Sequence, residues 1–173
     1  MPVTVKMRLG WDDKSINIME MAQLAQEAGV KAIAIHGRTR EQFYRDHADW
    51  EIIGQVRQKL NIPVIANGDV RTVQDLDKIR QVTGCEAVMV GRAAQGNPWI
   101  FRQLTEYLKT GKILPGPTIE ERKQVIIRHL DMLLKFKAII LGQGKCGSML
   151  PGTPEELRAV QSCVVFLNQA VSR

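Results

Sequence analysis

The stretch PVIANGDVRT at residues 63–72 places a strand, a turn and a helix start next to one another. Pro63–Asn67 is a short run with β-branched residues, and Asn67-Gly68-Asp69 is a polar turn. Thr72 can accept a hydrogen bond from a backbone N–H in the first turn of a helix. That helix is predicted to end at Gly84, because glycine readily adopts the left-handed conformation of a helix C-cap. Its apolar positions recur every three or four residues: Val73, Leu76, Ile79 and Val82.

The same strand–helix pattern recurs on both sides of this stretch. Helices are predicted to begin at Ser15, ending at Gly29, and at Asp49, ending before Pro63. Strands that alternate with helices at an interval of 24 to 30 residues are typical of a parallel α/β sheet. The other predicted strands are Pro2–Met7, Ala32–His36 and Ala87–Val90.

After Gly96 the alternation stops. Asn97-Pro98 is typical of a helix start, and this helix is predicted to run through Leu108. Thr118 and Glu121 form a capping box for a long second helix, and Thr153 opens a third. The sequence therefore predicts an α/β domain at residues 1–97 and a mostly helical region at residues 98–173.

Charge is unevenly distributed between these two parts. Residues 1–97 carry a net charge of +1 and residues 98–173 carry +5. A basic helical region favours contact with a polyanion. Charge alone is explained equally well by a helix surface that is only solvated. The three cysteines, an odd and widely spaced set, indicate neither a disulfide framework nor a zinc site, so we expect a reducing, cytoplasmic location. No apolar run is long enough to predict a membrane span.

Polar residues stand at the end of each predicted strand, where a parallel barrel carries its chemistry. Strand alternation places Lys6 on one face with Arg8, and His36 on one face with Ala34. Burying such side chains without partners is unfavourable, so a polar ligand is expected there. Glycines would let backbone N–H groups approach an anion, and Arg92 would add a charged contact, which favours a phosphate-bearing ligand. These glycines are Gly68, Gly91 and Gly96.

The strand-end motifs, taken in order, resemble the successive signatures of tRNA-dihydrouridine synthases. The likeness extends loosely to about Phe136, and resumes at Leu150-Pro151-Gly152. The ordered set is more specific than any single motif, many of which occur in other flavin barrels. The motifs are Val3-Thr4-Val5-Lys6-Met7-Arg8, Ile35-His36-Gly37-Arg38-Thr39, Ile65-Ala66-Asn67-Gly68-Asp69-Val70, Val90-Gly91-Arg92-Ala93 and Gly96-Asn97-Pro98-Trp99.

This resemblance implies a partial TIM barrel made of the last four βα units, with FMN as cofactor and NADPH as electron donor. It also implies that the substrate is uridine in tRNA, reduced to 5,6-dihydrouridine, and that residues 98–173 contact the tRNA. Lys6 and His36 would then contact the flavin ring region, and Arg38 would face the substrate RNA. The cofactor's ribityl–phosphate path and phosphate would be held by Asn67, Gly68, Asp69, Gly91 and Arg92.

Two departures from the family pattern bear on activity. The family's proton-donating cysteine lies in an Asn-x-Gly-Cys-Pro motif, which is absent from this sequence, so no catalytic residue is predicted here. Cys85 is expected to be packed instead. We expect the first half of the barrel to be missing, so that the partner is either that half or a second copy joined through open sheet edges. Gly142–Gly147 matches a dinucleotide motif but lacks the helix that such a motif needs.

Two alternatives to the enzyme remain open. One is a tRNA-binding protein that uses the basic helices without flavin. The other is a different FMN- or phosphate-binding barrel oxidoreductase, or a sugar-phosphate enzyme. Asp12-Asp13 could suggest a metal ligand pair, but acids just before a helix start are more often solvated residues that favour the helix dipole. No metal site is therefore predicted.

Overall fold

A computed structural model of the protein describes residues 1–143 and the segment Cys163–Phe166. Strands and helices alternate along the first ninety residues, as the sequence predicts. The elements are β1 (Thr4–Arg8), α1 (Ile18–Glu27), β2 (Ala32–His36), α2 (Trp50–Lys59), β3 (Val64–Asn67), α3 (Val73–Thr83), β4 (Ala87–Val90), a 3₁₀ turn (Arg92–Ala94), α4 (Ile100–Thr110), α5 (Ile119–Gln143) and β5 (Cys163–Phe166).

The strands form one sheet in the order β1-β2-β3-β4-β5. The first four are parallel to one another, and β5 pairs antiparallel with β4. Four parallel strands in chain order, each followed by a helix, are the arrangement of consecutive units of a β/α barrel. The predicted α/β class and parallel sheet are confirmed.

The hydrophobic core lies between one face of this sheet and the helices. Ile33 and Ile35 of β2 point to this face together with Val64 and Ala66 of β3, and all four are completely buried. They belong to one apolar cluster with residues of four helices, which explains why these strands are apolar on that side. The helical members of the cluster include Ile18, Ala22, Ile53, Val56, Leu76, Ile79, Ile100 and Leu104.

Several predicted helix boundaries are confirmed by capping contacts, whereas α4 begins at Ile100 rather than at the predicted Asn97-Pro98 start. The Asp49 carboxylate accepts the N–H of Ile52 at 2.9 Å, and Thr72 forms a complete capping box with Asp75. Gly84 ends α3 in the left-handed conformation, with φ of 61°. Local chemistry is enough to set such boundaries, because the capping atoms are only three or four residues apart.

The predicted start of α1 at Ser15 is wrong. The helix begins at Ile18, and its N-cap is Asn17. The Ser15 hydroxyl is used in a turn instead, where it donates to the Asp12 carboxylate at 2.8 Å. Gly10 and Ile16 also form an antiparallel bridge, which keeps the intervening residues out of a helix.

The described residues fall into two compact units, residues 1–114 with β5, and the unit that contains α5. In the second unit Thr118 accepts the N–H of Glu121, so the predicted capping box of α5 is confirmed. Helix α5 continues to Gln143. Among the described helices none combines the length and apolar character that crossing a bilayer requires.

The prediction of a mostly helical C-terminal region is wrong at residues 163–166, which form β5. This segment contains two adjacent valines and pairs with β4, which supplies the hydrogen-bonding partners that an open strand edge would lack. The helix predicted from Thr153, residues 144–147 of the dinucleotide-like motif Gly142–Gly147, and Cys146 lie outside the described residues.

Candidate functional site

Four polar side chains share the sheet face opposite the hydrophobic core. In the parallel register, Arg8 is paired with His36, and His36 is paired with Asn67. Lys6 lies two residues before Arg8 and therefore points to the same side. The structure thus brings Lys6, His36 and Asn67, three of the residues predicted to bind the cofactor, onto one polar face.

His36 is a buried, neutral member of this polar face. Its Nε2 atom lies 3.4 Å from Nη1 of Arg38, and because a guanidinium can only donate, Nε2 accepts and the proton resides on Nδ1. Burial lowers the pKa of His36 to about 3, and the positive charges of Arg8, Lys6 and Arg38 act in the same direction. His36 can therefore hydrogen-bond to a ligand without adding charge.

The cations at the end of β1 differ in what they contact. Lys6 is solvent-exposed, and its pKa is lowered by partial desolvation and by the charge of Arg8. Arg8 donates from Nη1 to the carbonyl oxygens of Thr39 at 2.8 Å and Phe43 at 3.3 Å. Arg8 therefore supports the chain after β2, while Lys6 is available to an anionic or electron-rich ligand.

The Asn67-Gly68-Asp69 turn closes the end of β3. Asn67 donates from Nδ2 to the carbonyl oxygen of Met89 on β4 at 2.8 Å. Gly68 has φ of +135°, and a Cβ atom there would lie 2.5 Å from Cβ of Ala48, so only glycine fits without distortion. This turn is thus packed tightly against the chain that precedes α2.

The Asp69 carboxylate is the most heavily bonded group of the site. Its Oδ2 atom accepts from Nη2 of Arg38 at 2.6 Å and from the backbone N–H of Ala48 at 2.8 Å. Its Oδ1 atom accepts from Nη2 of Arg92 at 3.0 Å. Partial burial alone would raise the pKa of Asp69, but these hydrogen bonds and the two arginine charges lower it.

The Gly91-Arg92 pair follows β4 at the same end of the sheet. A Cβ atom built at Gly91 would meet no heavy atom within 4 Å, so its backbone is open to an approaching group. The side chain of Arg92 is 40% exposed, and its guanidinium stacks 4.5 Å from the ring centroid of Tyr44. Arg92 could exchange these contacts for those of a phosphate.

Arg38, which the resemblance expects to face the substrate RNA, lies inside the structure. Its side chain is 1% exposed. Its Nε atom donates to the carbonyl oxygen of Arg45 at 2.9 Å and its Nη2 atom to that of Asp46 at 2.6 Å. Together with the Asp69 pair, these bonds turn Arg38 toward its own chain.

Sequence reasoning missed the loop at residues 37–49, which the strand-end arginines hold. Phe43 and Tyr44 are exposed at its tip and stack edge to face, with ring centroids 4.6 Å apart. The available signal was length, because connections between strand and helix in α/β units usually have only two to six residues.

Cys85 lies elsewhere, buried as expected, and burial raises the pKa of its thiol to about 11.

A family comparison tests the resemblance that the sequence motifs carry. A sequence model described as dihydrouridine synthase (Dus) matches residues 1–160. The chain belongs to the dihydrouridine synthase family. That membership agrees with the resemblance carried by the strand-end motifs, which is thereby confirmed.

Curated relatives from several bacteria give the same result. The tRNA-dihydrouridine synthase B of Pseudomonas putida is 41% identical over 141 residues, covering 82% of this chain and 42% of that protein. A probable tRNA-dihydrouridine synthase of Rickettsia typhi is 44% identical over 135 residues, covering 78% of this chain and 41% of that protein. The family chain described here therefore spans about two fifths of the length of these relatives.

Among solved structures, an (S)-3-O-geranylgeranylglyceryl phosphate synthase from Thermoplasma acidophilum matches at 19% identity with a TM-score of 0.41. The match covers 57% of this chain and 45% of that one. A TM-score at this level supports no conclusion about fold or function.

Proposed function

We propose that this dihydrouridine synthase family chain acts in the NADPH-dependent, FMN-dependent reduction of uridine to 5,6-dihydrouridine in tRNA, in the cytoplasm. The observation that carries the proposal is that strand ends β1, β2 and β3 place Lys6, His36 and Asn67 on one polar face. A flavin bound there would supply the hydride that reduces the pyrimidine ring, and the proton for the neighbouring ring carbon would come from the family's donor cysteine, whose motif this sequence does not contain. The family match favours this function over an unrelated phosphate-binding barrel.

The chemistry of the site suits a flavin mononucleotide. Lys6 is a solvent-exposed cation on the polar face and would stabilise negative charge on a flavin ring. His36 is neutral and can orient the ring through Nδ1, which would donate. Beyond β3 the ribityl–phosphate chain would follow the Asn67-Gly68-Asp69 turn.

A phosphate group would be held at the end of β4. The open backbone at Gly91 and at Gly96 leaves room for an anion, since no atom stands where a Cβ would point. Arg92 begins the 3₁₀ turn at this position and supplies a positive charge that is partly exposed. Glycine backbone and an arginine side chain are a common combination for binding phosphate.

Contact with tRNA is proposed for the basic helical region, residues 98–173. Side chains along α5 are exposed over residues 119–137, and this stretch includes more basic than acidic residues. Lys135 and Lys137 would add attraction to phosphate groups along an RNA backbone. Such contacts position the RNA, while the polar face of the sheet would bind the reacting base.

Titration of FMN with the purified chain tests the cofactor site directly. We expect flavin fluorescence to change on binding, and Lys6→Met to weaken binding about tenfold, because it removes a charge-assisted contact. The matched control is Lys31→Met, which changes an exposed lysine at the opposite end of the sheet and should bind FMN like the unaltered chain. The proposed site would be contradicted if the two variants bound FMN equally, or if the unaltered chain bound no FMN.

Reaction of the chain with unmodified tRNA, FMN and NADPH tests the activity, with dihydrouridine measured by mass spectrometry of the digested nucleosides. Formation of dihydrouridine that depends on FMN supports the proposed reaction. Salt-dependent tRNA binding by a chain that binds no flavin would instead support the non-catalytic tRNA-binding alternative.

A further inference from the structure

The loop between β2 and α2, residues 37–49, lacks regular structure yet holds two residues in a left-handed backbone conformation. Phe43 has φ of 52° and Asp46 has φ of 57°. Residues other than glycine rarely adopt this conformation unless surrounding contacts impose it. A defined set of contacts must therefore hold the loop in one shape.

Those contacts come mainly from beneath the loop, through Arg38. Its guanidinium donates to the carbonyl oxygens of Arg45 and Asp46, the two residues that follow the aromatic pair. The side chain is buried, so its charge needs an anionic partner to be stable there. Asp69, from the turn after β3, is that partner.

Asp69 also contacts the C-terminal end of the loop and the arginine that stacks on the loop tip. It accepts the backbone N–H of Ala48 at the C-terminal end of the loop. It accepts Nη2 of Arg92 through its other oxygen, and Arg92 stacks on Tyr44 at the loop tip. One carboxylate therefore joins the base, the end and the tip of the loop.

We propose that Asp69 is a positioning residue that fixes the loop at residues 37–49, and with it the Phe43-Tyr44 pair, at the carboxyl ends of the strands. The exposed aromatic pair then offers a preformed surface on which an unstacked base of the RNA can lie. Identifying the ligand as RNA rests on the proposed function, whereas the fixing of the loop rests on the contacts of Asp69. Arg38 acts in this scheme through Asp69 and the loop, without touching the RNA.

Hydrogen exchange of the full chain, followed by mass spectrometry, tests the positioning role. We expect Asp69→Asn to speed exchange in residues 39–48 at least fivefold, because the amide cannot neutralise Arg38 or accept from three donors. The conservative Asp69→Glu keeps the charge and should restore at least half of the protection. The matched control is Asp13→Asn, which removes an exposed carboxylate in another loop and should exchange like the unaltered chain.

Unchanged exchange in Asp69→Asn, or faster exchange spread evenly over the sheet and helices, would overturn the proposal. Should Asp69→Asn fail to fold, Arg92→Gln removes the Asp69–Arg92 pair and the stack on Tyr44 but leaves the bonds of Asp69 to Arg38 and Ala48. It should speed exchange at residues 43–46, and no change there would also overturn the proposal.

Binding of a fluorescent single-stranded uridine oligonucleotide tests whether the loop serves the substrate. Tyr44→Ala and Asp69→Asn should each weaken oligonucleotide binding at least fivefold, and Asp69→Glu should recover it. A purely structural role for Asp69 would leave oligonucleotide binding by the folded variant unchanged. Binding that Tyr44→Ala leaves unaltered would refute the stacking surface. A chain that binds no FMN while Asp69→Asn still loosens the loop would contradict the proposed function and leave the positioning role supported, so the two failures are distinguishable.

Discussion

The two faces of the β1–β4 sheet are built from alternate residues of the same strands and have opposite characters. On β2, Ile33 and Ile35 are completely buried against the helices, while His36 points to the face that carries Lys6 and Asn67. The helix-packed face provides stability, and the polar face provides hydrogen bonds and charge. Substitutions on the two faces should therefore separate stability from ligand binding.

The largest effect is expected on the helix-packed face. Ile35→Ala should lower the free energy of unfolding by about 3–4 kcal/mol, because it leaves a cavity in a fully buried position. Ile65→Ala is the matched control, since Ile65 is only partly buried and lies on the opposite face. Urea denaturation should show at most half the loss for Ile65→Ala. Equal losses for the two variants would mean that both faces are packed alike.

A smaller loss is expected at the turn where the polar face meets the loop. Gly68→Ala should destabilise the fold by about 2–3 kcal/mol, because it combines a left-handed φ with a Cβ atom that would lie only 2.5 Å from Cβ of Ala48. Gly29→Ala shares the left-handed φ but meets no atom within 4 Å, so it should cost only about 1 kcal/mol. Thermal unfolding of the two variants measures the difference, and an equal cost would show that crowding at Gly68 has no effect.

Acid should destabilise the protein through His36 on the polar face. The pKa of His36 is about 3 in the folded chain and about 6.5 when unfolded, so folding favours the neutral form. Its contribution is fully present above about pH 6.5 and is lost as the pH falls toward 3. At pH 5 the loss should be on the order of 2 kcal/mol. Denaturant curves of His36→Asn should lack this component between pH 7 and 5; an unaltered pH profile would show that His36 is not the responsible group.

The smallest effect on stability is expected for Lys6→Met, although its effect on FMN binding should be large. An exposed side chain without a specific partner contributes less than about 0.5 kcal/mol to folding. Urea denaturation of this variant and of Lys31→Met should give the same midpoint within error. A clear loss of stability in Lys6→Met alone would assign Lys6 a structural role and weaken the division between the two faces.

Local sequence chemistry explains why most of the first unit could be predicted. The strands Ala32–His36 and Ala87–Val90 were predicted to the residue, and the caps at Asp49 and Thr72 hold as expected. These features depend on groups within a few positions of one another. Ser15 was assigned to a helix cap wrongly because its hydroxyl could serve either a helix or a turn, and a bridge between Gly10 and Ile16 decided for the turn.

The sequence by itself determined the alternation of strands and helices, the parallel class of the sheet and the set of polar residues at the strand ends, because each depends on local periodicity and capping. Only the tertiary structure decided the partners of those polar residues. Asp69 and Arg38 are separated by 31 positions, and their pairing is possible only when β2 and β3 lie side by side. The pairing of β5 with β4 is likewise invisible to local pattern, because a short valine-rich segment becomes a strand only where a neighbouring edge accepts its hydrogen bonds.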